Sequence, residues 1–482
     1  MTHVDTPQTL CRAAVARGDI TPPVGIYHRL WGAAAHDRAT GVHRPLLATL
    51  LWVEPAEGPR EETQLIVALD HCILDGDELA KIVQAVSQAV PILPDQVHVA
   101  LSHTHGSGWM SRTRAAFPGG ELIGPYLDNL ASTIAALAAD AHGRIRPAAV
   151  VYGQGRCDLA AHRDFWDADK GRYVCGFNPA GPADDTVLVA RITGEEGDTL
   201  ATMVNYACHP TTLAWDNLAL SPDYVGAMRE VVEQHTRAPC VFLQGASGDL
   251  GPREGFVGDW GVADRNGRQL GLAVLSALEA LPKAGTRFVY AGPVLSGTMI
   301  GTWKHEPLGN DALHAQSIWQ AEQFTVHLPY RPDLPTLAET KKQLAQWESE
   351  EVAARDAGDN QRARECRALV EQMRRQMARL AVLPEGETFP YVVTLCRLGD
   401  ACWLLVPGEL YQTFQVALRA AFRKVPIVVA TLTNGWQPGY LPAATSYGYG
   451  IYQDVIAVVA PGSLEMLIEA ISRRIATEES SP

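Results

Sequence analysis

Apolar runs of strand length alternate with amphipathic helical segments along most of this chain, and that alternation restricts its fold more than any other feature. The run LIVALD (65–70) precedes a helical segment at 77–90, and the strand-like run QVHVAL (96–101) precedes a helix near 124–141. Further strands are predicted at 46–53, 148–153, 185–192, 201–207 and 240–245, with a helix from 223 to 235. Such alternation is typical of an α/β fold.

The composition changes between about 335 and 380, where charged and alanine-rich sequence is broken near DAGDN. This pattern predicts a helical hairpin whose charges form a solvated face. The α/β pattern then resumes, with strands at 391–398, 402–408 and 426–433 and helices at 409–423 and 462–475. A single simple core stops growing near about 250–300 residues, so 482 residues predict a layered, mixed-sheet body with more than one packed lobe. With no repeat or linker, we treat 1–482 as one catalytic domain that contains the hairpin.

The charge balance excludes several classes of partner. Forty basic and fifty-four acidic residues leave a net charge of −14 without a basic run, which argues against nucleic acid. The start of the chain lacks a basic segment followed by an apolar one, and no stretch approaches about 18 apolar residues, so we expect a cytoplasmic protein without a transmembrane segment. Nine scattered cysteines without a C-x-x-C pair indicate reduced thiols. The oligomeric state stays open.

Two histidines follow the predicted strand QVHVAL. In SHTHGSG, His103 and His105 are two positions apart, and residues i and i+2 of a strand point to the same face. The two imidazoles are therefore expected side by side at the end of the strand, as in many metal sites. The alternative is a pair of polar side chains at the mouth of a loop.

A third histidine, His209, precedes a proline at the end of the strand 201–207. Proline holds the residue before it in extended geometry, so His209 should end the strand with its ring directed outward. Further along, Ser221 is expected to be the N-cap of a helix that begins at Pro222, with Asp223 favoured by the helix dipole. In QGASGDLGP, Asp249 can orient an imidazole or simply belong to a turn.

Late in the chain, Glu409 lies where an apolar strand meets a helix, and a loop rich in glycine and proline contains several tyrosines. Taken alone, Glu409 is an acid in the first turn of a helix, and the tyrosines pack the loop. All these polar positions nevertheless lie at strand ends of one α/β body, where such folds build their sites. The tyrosines are Tyr440, Tyr447, Tyr449 and Tyr452.

Six motifs in order give a family resemblance. SHTHGS, NYACHPT, NLALSPDYVG, LQGASGDLGP, VPGE and NGWQPGYLP follow one another in the family's order, and the resemblance covers about residues 20 to 475. The sequence thereby resembles the amino-terminal catalytic domain of the neutral, non-lysosomal ceramidases, zinc-dependent amidases that hydrolyse the N-acyl bond of ceramide. The resemblance implies four zinc ligands: His103, His209, Glu409 and Tyr440. It also implies three catalytic residues beside the reacting carbonyl: His105, Arg163 (in AAHRDFW) and Tyr452.

The implied ligand set suits zinc chemically. Imidazole nitrogens, a carboxylate and a phenol are the borderline N and O donors that zinc accepts, and zinc can expand to five ligands during a reaction. Zinc lowers the pKa of a bound water towards about 7, which provides a nucleophile at neutral pH. The three implied catalytic residues can then stabilise the oxyanion and protonate the leaving amine.

The sequence departs from the family pattern in three places. Gly251 occupies the position of the family serine, which excludes a serine acyl-enzyme there. The chain ends at Pro482 without the family's additional β-sandwich domain or a signal peptide, so we expect a substrate other than a membrane lipid. Bulky side chains near the motifs either form apolar surface beside the metal or belong to the core: Trp109, Met110, Trp215 and Trp436. Of the departing positions, Trp109 and Gly251 are assigned to substrate binding.

The leading hypothesis is a zinc-dependent amidohydrolase that acts on a small or lipid-like N-acyl amide. A zinc-dependent ester or lactone hydrolase and a non-catalytic protein that retains the metal are the alternatives. A metallo-β-lactamase-type site is disfavoured because HTHGSG lacks the Asp-His that should follow. The acidic cluster DHCILDGDE (70–78) is explained as a strand end before a capped helix and is left out of the site.

Overall fold

The computed structural model describes residues 2–58 and 62–479, which form an α/β body. The strands are β1 (His3–Val4), β2 (Gln8–Asp19), β3 (Gly41–Val42), β4 (Leu47–Pro55), β5 (Gln64–Leu69), β6 (Val97–Leu101), β7 (Arg146–Arg156), β8 (Ala160–His162), β9 (Asp164–Asp167), β10 (Arg172–Cys175), β11 (Thr186–Gly194), β12 (Thr199–Tyr206), β13 (Ala219–Leu220), β14 (Cys240–Gln244), β15 (Leu250–Pro252), β16 (Thr286–Leu295), β17 (Met299–Pro307), β18 (Trp319–Pro329), β19 (Thr388–Leu398), β20 (Ala401–Leu405), β21 (Glu409–Leu410), β22 (Ile427–Ala430) and β23 (Tyr440–Leu441). The helices are α1 (Gly76–Ala89), α2 (Ile123–His142), α3 (Tyr224–Thr236), α4 (Trp260–Glu279), α5 (Asn310–Gln316), α6 (Leu337–Asp356), α7 (Asn360–Ala381), α8 (Thr413–Ala421), α9 (Tyr452–Ile456) and α10 (Ser463–Glu479).

Two sheets pack face to face at the centre. The larger has eight strands in the order β14-β12-β11-β7-β2-β4-β5-β6, and the smaller has four in the order β18-β19-β20-β22. Most neighbours are antiparallel, but the pairs β5–β6, β12–β14 and β20–β22 are parallel. Apolar side chains of both sheets, such as Met203 and Leu243 on one and Trp403 and Val428 on the other, share one buried cluster. The amide of Asn205 also donates to the carbonyl of Val429 (2.7 Å) and so joins the sheets.

Helices cover the outer faces of both sheets. On the large sheet, α1 and α2 cover one half and α3 and α4 the other, each pair forming its own apolar cluster with the strands below. On the small sheet, α8 and α10 pack through residues such as Phe414 and Ile471. The four layers are therefore helix, sheet, sheet and helix, because each sheet buries both faces. This architecture confirms the predicted layered α/β body.

The periodicity of the sequence does not predict strand β2 or helix α4. Strand β2 lies in the middle of the large sheet, between β7 and β4, yet it is built on Ala13, Ala14 and Ala16, which carry little strand signal. Helix α4 contains three glycines, which weaken a helix prediction. A Cβ at Gly267 would lie 2.3 Å from the carbonyl oxygen of Tyr224, so glycine here lets α4 approach α3 closely.

The charged segment does form the predicted hairpin, since α6 and α7 pack against each other. Its charges are not simply solvated, however. Glu371 on α7 accepts two hydrogen bonds from Arg114 (2.8 and 2.9 Å) in a buried ion pair with the body of the protein. The prediction of a solvated face is wrong for this side of α7, because tertiary contacts cover it.

The cysteines are free thiols, and all but Cys175 are buried, as the absence of a pairing pattern predicted. Among the described residues, none of the helices combines the length and apolar character needed to cross a bilayer. The cytoplasmic location stays a prediction.

His98 on β6 is held in the neutral form by its neighbours. Its Nε2 donates to Oε1 of Gln64 (2.7 Å), and its Nδ1 accepts from the side-chain amide of Asn434 (3.4 Å). The orientation of that amide is fixed because its oxygen accepts from the backbone N–H of Val99 (2.8 Å). A proton on Nδ1 would therefore meet another donor. Burial lowers the pKa of His98 from 6.5 to about 4.

The free energy of unfolding should consequently fall as the pH falls from 6.5 to 4. In that interval the unfolded chain binds more protons at residue 98, which costs up to about 3 kcal/mol of stability at the acid end. Urea unfolding of wild type and His98→Gln at several pH values measures the contribution of His98 to the pH dependence of the free energy of unfolding. The variant should lose less stability on acidification, and equal losses in both proteins would contradict the assignment.

Candidate metal centre

Three side chains that follow strands of the two sheets meet at one site. His103 follows β6, His209 follows β12, and Glu409 begins β21 after the small sheet's β20. Nε2 of His103 lies 3.2 Å from Oε2 of Glu409, and Nε2 of His209 lies 3.0 Å from the same oxygen. Both histidines are buried. Their ligand atoms all lie within 4.8 Å of one another, a spacing that can hold a metal ion.

The backbone at His103 differs from the predicted strand. β6 ends at Leu101, His103 has a φ of 65°, and His105 begins a single 3₁₀ turn. Positive φ is unfavourable for a residue with a side chain and is concentrated at functional sites. The expectation that the strand itself places both rings on one face is therefore wrong. The turn still brings the ring centroids of His103 and His105 to 4.9 Å.

Backbone carbonyls fix the tautomers of the two ligand histidines. Nδ1 of His103 lies 2.9 Å from the carbonyl of Cys72, and Nδ1 of His209 lies 2.7 Å from the carbonyl of Ser247. A carbonyl can only accept, so each Nδ1 carries the proton and each ring directs its Nε2 at Glu409. Metal-binding histidines are commonly held in this way. Burial alone would lower the pKa of His103, but Cys72 and Glu409 hold it well above 6.5.

Glu409 and Tyr440 are neighbours because two short strands pair. β21 and β23 run parallel, and Glu409 is in register with Tyr440. Glu409 therefore lies in a strand, and the alternative of an acid in a helix's first turn is wrong, since α8 begins only at Thr413. Asp249 steadies this segment, as its carboxylate accepts from the backbone and the side chain of Gln412 (2.7 and 2.9 Å). The imidazole beside Asp249 is that of His162, whose Nε2 lies 3.5 Å from Oδ2 of Asp249, whereas His209 is oriented by the carbonyl of Ser247.

The electrostatics of the cluster fit a cation. Two Nε2 lone pairs and a carboxylate repel one another unless a positive charge lies between them, and either a proton or a divalent cation can supply it. Burial, with Arg163 nearby, lowers the pKa of His209 to about 3. Burial alone would raise the pKa of Glu409, but His103 and His209 hold it well below its usual range. Nε2 of His103 is buried without a hydrogen-bond partner among the described residues. The donor set therefore fits zinc.

Tyr440 and Arg163 continue the cluster. The hydroxyl of Tyr440 lies 3.3 Å from Nε2 of His209 and accepts from the guanidinium of Arg163 (3.0 Å). Arg163 is buried and also donates to the carbonyl of Gly248 (2.6 Å), which fixes its position. Burial raises the pKa of Tyr440 well above 10. The phenol is thus a neutral donor unless a cation displaces its proton.

The other two predicted catalytic residues, His105 and Tyr452, lie next to this cluster and differ in how far they are buried. Both ring nitrogens of His105 are buried without a hydrogen-bond partner in the described parts of the chain, and its ring contacts Trp31 at a centroid distance of 4.8 Å. Burial, with His103 and His209 adjacent, lowers the pKa of His105 well below 6.5. Tyr452 begins α9, is 40% exposed, and lies edge-on to Tyr440 (6.0 Å between centroids).

A cavity of about 70 Å³ opens beside the cluster. Trp109 and Trp436 line it together with Tyr452, whereas Met110 is in the core and Trp215 lies 37% exposed against Phe256. Gly251 does not line this cavity, but it adjoins Arg163, whose Cδ would lie 3.9 Å from an added Cβ. The roles assigned to these residues stay predictions.

Sequence reasoning missed several lining residues. Cys72, in the cluster set aside as a strand end, orients His103 and lies in the cavity wall. Arg375 and Arg379 reach the cavity from α7, and their spacing of four in the hairpin sequence was the available signal. One helix start was also misplaced. Asp223, and not Ser221, caps α3 by accepting from the backbone of Tyr224 (2.6 Å).

The layered body with this edge cluster defines the chain as a protein of neutral ceramidase-like fold. Neutral ceramidase from Pseudomonas aeruginosa has a similar crystal structure, with a TM-score of 0.67 at 14% sequence identity over 99% of this chain and 76% of that one. A ceramidase complexed with C2 gives a TM-score of 0.64 at 15% identity, with the same coverage. No protein-family model matches the sequence. The likeness confirms the predicted fold.

Two glycines three residues apart, Gly248 in the turn before β15 and Gly251 within β15, give a matched test of how the site is positioned. A Cβ at Gly248 would lie 2.7 Å from the carbonyl oxygen of Glu409, whereas one at Gly251 would meet nothing closer than 3.7 Å. Gly248→Ala should therefore displace β21 and destabilise the protein by about 1–3 kcal/mol, with weaker retention of bound metal. Gly251→Ala should keep wild-type stability and metal content. Denaturant unfolding and elemental analysis measure both, and equal behaviour of the two variants would refute the packing argument.

Proposed function

We propose that this protein is a zinc-dependent hydrolase that cleaves the C–N bond of an N-acyl amide. One observation carries the proposal: Nε2 of His103 and Nε2 of His209 both face Glu409, while each Nδ1 is occupied by a backbone carbonyl. That arrangement suits a cation bound by two neutral imidazoles and a carboxylate. The ceramidase fold supports the amide class of substrate.

The ion would be held by His103, His209 and Glu409, with Tyr440 as the fourth ligand. When bound, zinc supplies Lewis acidity that makes water a nucleophile near neutral pH and polarises a carbonyl. Gly251 offers no hydroxyl, so water is the nucleophile in this proposal.

Amide hydrolysis also needs an oxyanion site and a proton donor for the departing nitrogen. His105 suits the first task, because its ring nitrogens are buried beside His103 and have no competing protein partner among the described residues. Arg163 adds a fixed positive charge, since Gly248 and Tyr440 hold its guanidinium. Tyr452 suits the second task, because its exposed phenol lies at the edge of the cavity, where an amine would leave.

Ceramide is the first substrate to test, because both structural neighbours are ceramidases. A cavity of about 70 Å³ is small beside the roughly 300–1,000 Å³ of a typical ligand site, so shorter N-acyl amides belong in the same screen.

The test compares wild type, His209→Ala and His235→Ala after purification with zinc. His209→Ala should lose bound zinc and at least about 100-fold in hydrolysis of short N-acyl amides, since even the loss of a residue that only hydrogen-bonds to a metal ligand typically costs about 10–100-fold. His235 is an exposed histidine on α3 paired with Glu279 (2.7 Å), so His235→Ala should match wild type. Elemental analysis and a chromatographic assay of released amine supply the two measurements.

Unchanged zinc content in His209→Ala would overturn the ligand set. Bound zinc without hydrolysis of any amide would overturn the proposal that the protein is an amidase. Esters are included in the same panel, so that hydrolysis of esters alone would identify an esterase.

A further inference from the structure

Arg379 on α7 is a buried arginine without a partner. Its side chain is only 3% exposed and lines the cavity beside Glu409 and Tyr440. Its guanidinium makes no hydrogen bond or ion pair with any residue in 2–58 or 62–479. A buried charge without compensation is costly, and nearly all buried arginines are paired.

The neighbouring arginine shows the contrast. Arg375 lies one turn earlier on α7 and lines the same cavity, but it donates to Glu371 (3.0 Å) and to the carbonyl of Leu30. The ring of Trp109 lies 4.6 Å from its guanidinium carbon. The guanidinium of Arg375 thus has hydrogen-bond partners within the protein. The N–H donors of the Arg379 guanidinium have none among the described residues.

The position of Arg379 is enforced by the contacts of α7 with the body. The buried pair between Glu371 and Arg114 fixes the helix two turns away, and Arg367 reaches Asp37 (3.1 Å). The unpaired guanidinium is therefore held in place, because α7 cannot turn it to solvent without breaking these contacts. A fixed donor array facing a cavity is how proteins bind carboxylates and phosphates.

The cavity also has the size for such a group. A water needs about 10–15 Å³ of such space, so about 70 Å³ admits a carboxylate with part of its chain. Burial lowers the pKa of Arg379, and the nearby Tyr452 and Glu409 offset only part of that effect. Among the described residues Glu409 makes no ion pair with this guanidinium, because its carboxylate faces the two candidate ligand histidines.

We propose that Arg379 binds an anionic group on the substrate, so that the preferred amides are acidic N-acyl compounds and not neutral lipids. This inference rests on the proposed amide substrate and adds the charge that the substrate carries. Arg379 is then a specificity residue contributed by the helical hairpin.

Two matched pairs of ligands test the proposal on the zinc-loaded full chain. N-hexanoylglycine and N-hexanoylglycinamide differ in a charge on the amine side, and N-butylglutaramic acid and N-butylglutaramide differ on the acyl side. Calorimetry measures binding, and amine release is followed in the same solutions. In at least one pair the acid should bind about 10- to 100-fold more tightly than the amide, as a charged hydrogen bond supports.

Three variants locate the effect. Arg379→Gln should remove the preference for the acid, and Arg379→Lys should keep part of it, since lysine retains the charge without the paired donors. Arg374→Gln is the matched control, because Arg374 lies on the same helix, pairs with Glu348 (2.8 Å) and does not line this cavity. It should keep the full preference. Elemental analysis should find equal zinc in all the variants.

The proposal is overturned if neither acid binds, if the neutral amides bind as well as the acids, or if the preference survives in Arg379→Gln. Selective binding of an acid without amine release would leave this proposal standing and count against the hydrolase alone.

Discussion

Two hydrogen bonds to backbone carbonyls determine what this site can do. Because Cys72 and Ser247 each accept from a histidine Nδ1, the lone pairs of His103 and His209 have to face Glu409. Lone pairs and a carboxylate at about 3 Å are stable only around a positive charge. The chemistry of the site therefore follows from main-chain geometry as much as from the ligand side chains.

That geometry exists only where the two sheets pack. Cys72 and His103 follow adjacent parallel strands of the large sheet, Ser247 lies in the turn after β14, and Glu409 follows β20 of the small sheet. The sheets are joined near the site by polar contacts as well as apolar ones, since the backbone of Thr431 donates to the carbonyl of Gln244 (2.9 Å). A shift of one sheet would separate Glu409 from both histidines.

Local patterns predicted what depends on local sequence. Periodic runs located most helices and most strands of the two central sheets, but not the short strands outside them. The ordered motifs identified residues that the structure places together, including His103 and Tyr440, 337 positions apart. The sequence patterns gave wrong predictions where tertiary packing determines the local backbone conformation. The bend at His103 is imposed by its hydrogen bond to His71, and Glu409 is drawn into a strand by its pairing with Tyr440. Strand β2 is hidden because alanines suit its crowded central position.

The hairpin shows most directly why charge patterns alone mislead. Along α7, charged residues of similar appearance have different fates: Arg374 pairs at the surface, Arg375 is satisfied inside, and Arg379 is buried unpaired. The environment of each arginine depends on which face of α7 packs against the body of the protein. That face is set by contacts such as the ion pair of Glu371 with Arg114. An unpaired buried charge lowers the stability of the folded chain, so its retention at the wall of the candidate cation site supports the proposal of a ligand that compensates it. In that proposal the hairpin, which the sequence presents as an appendage, forms part of the wall that would select the substrate.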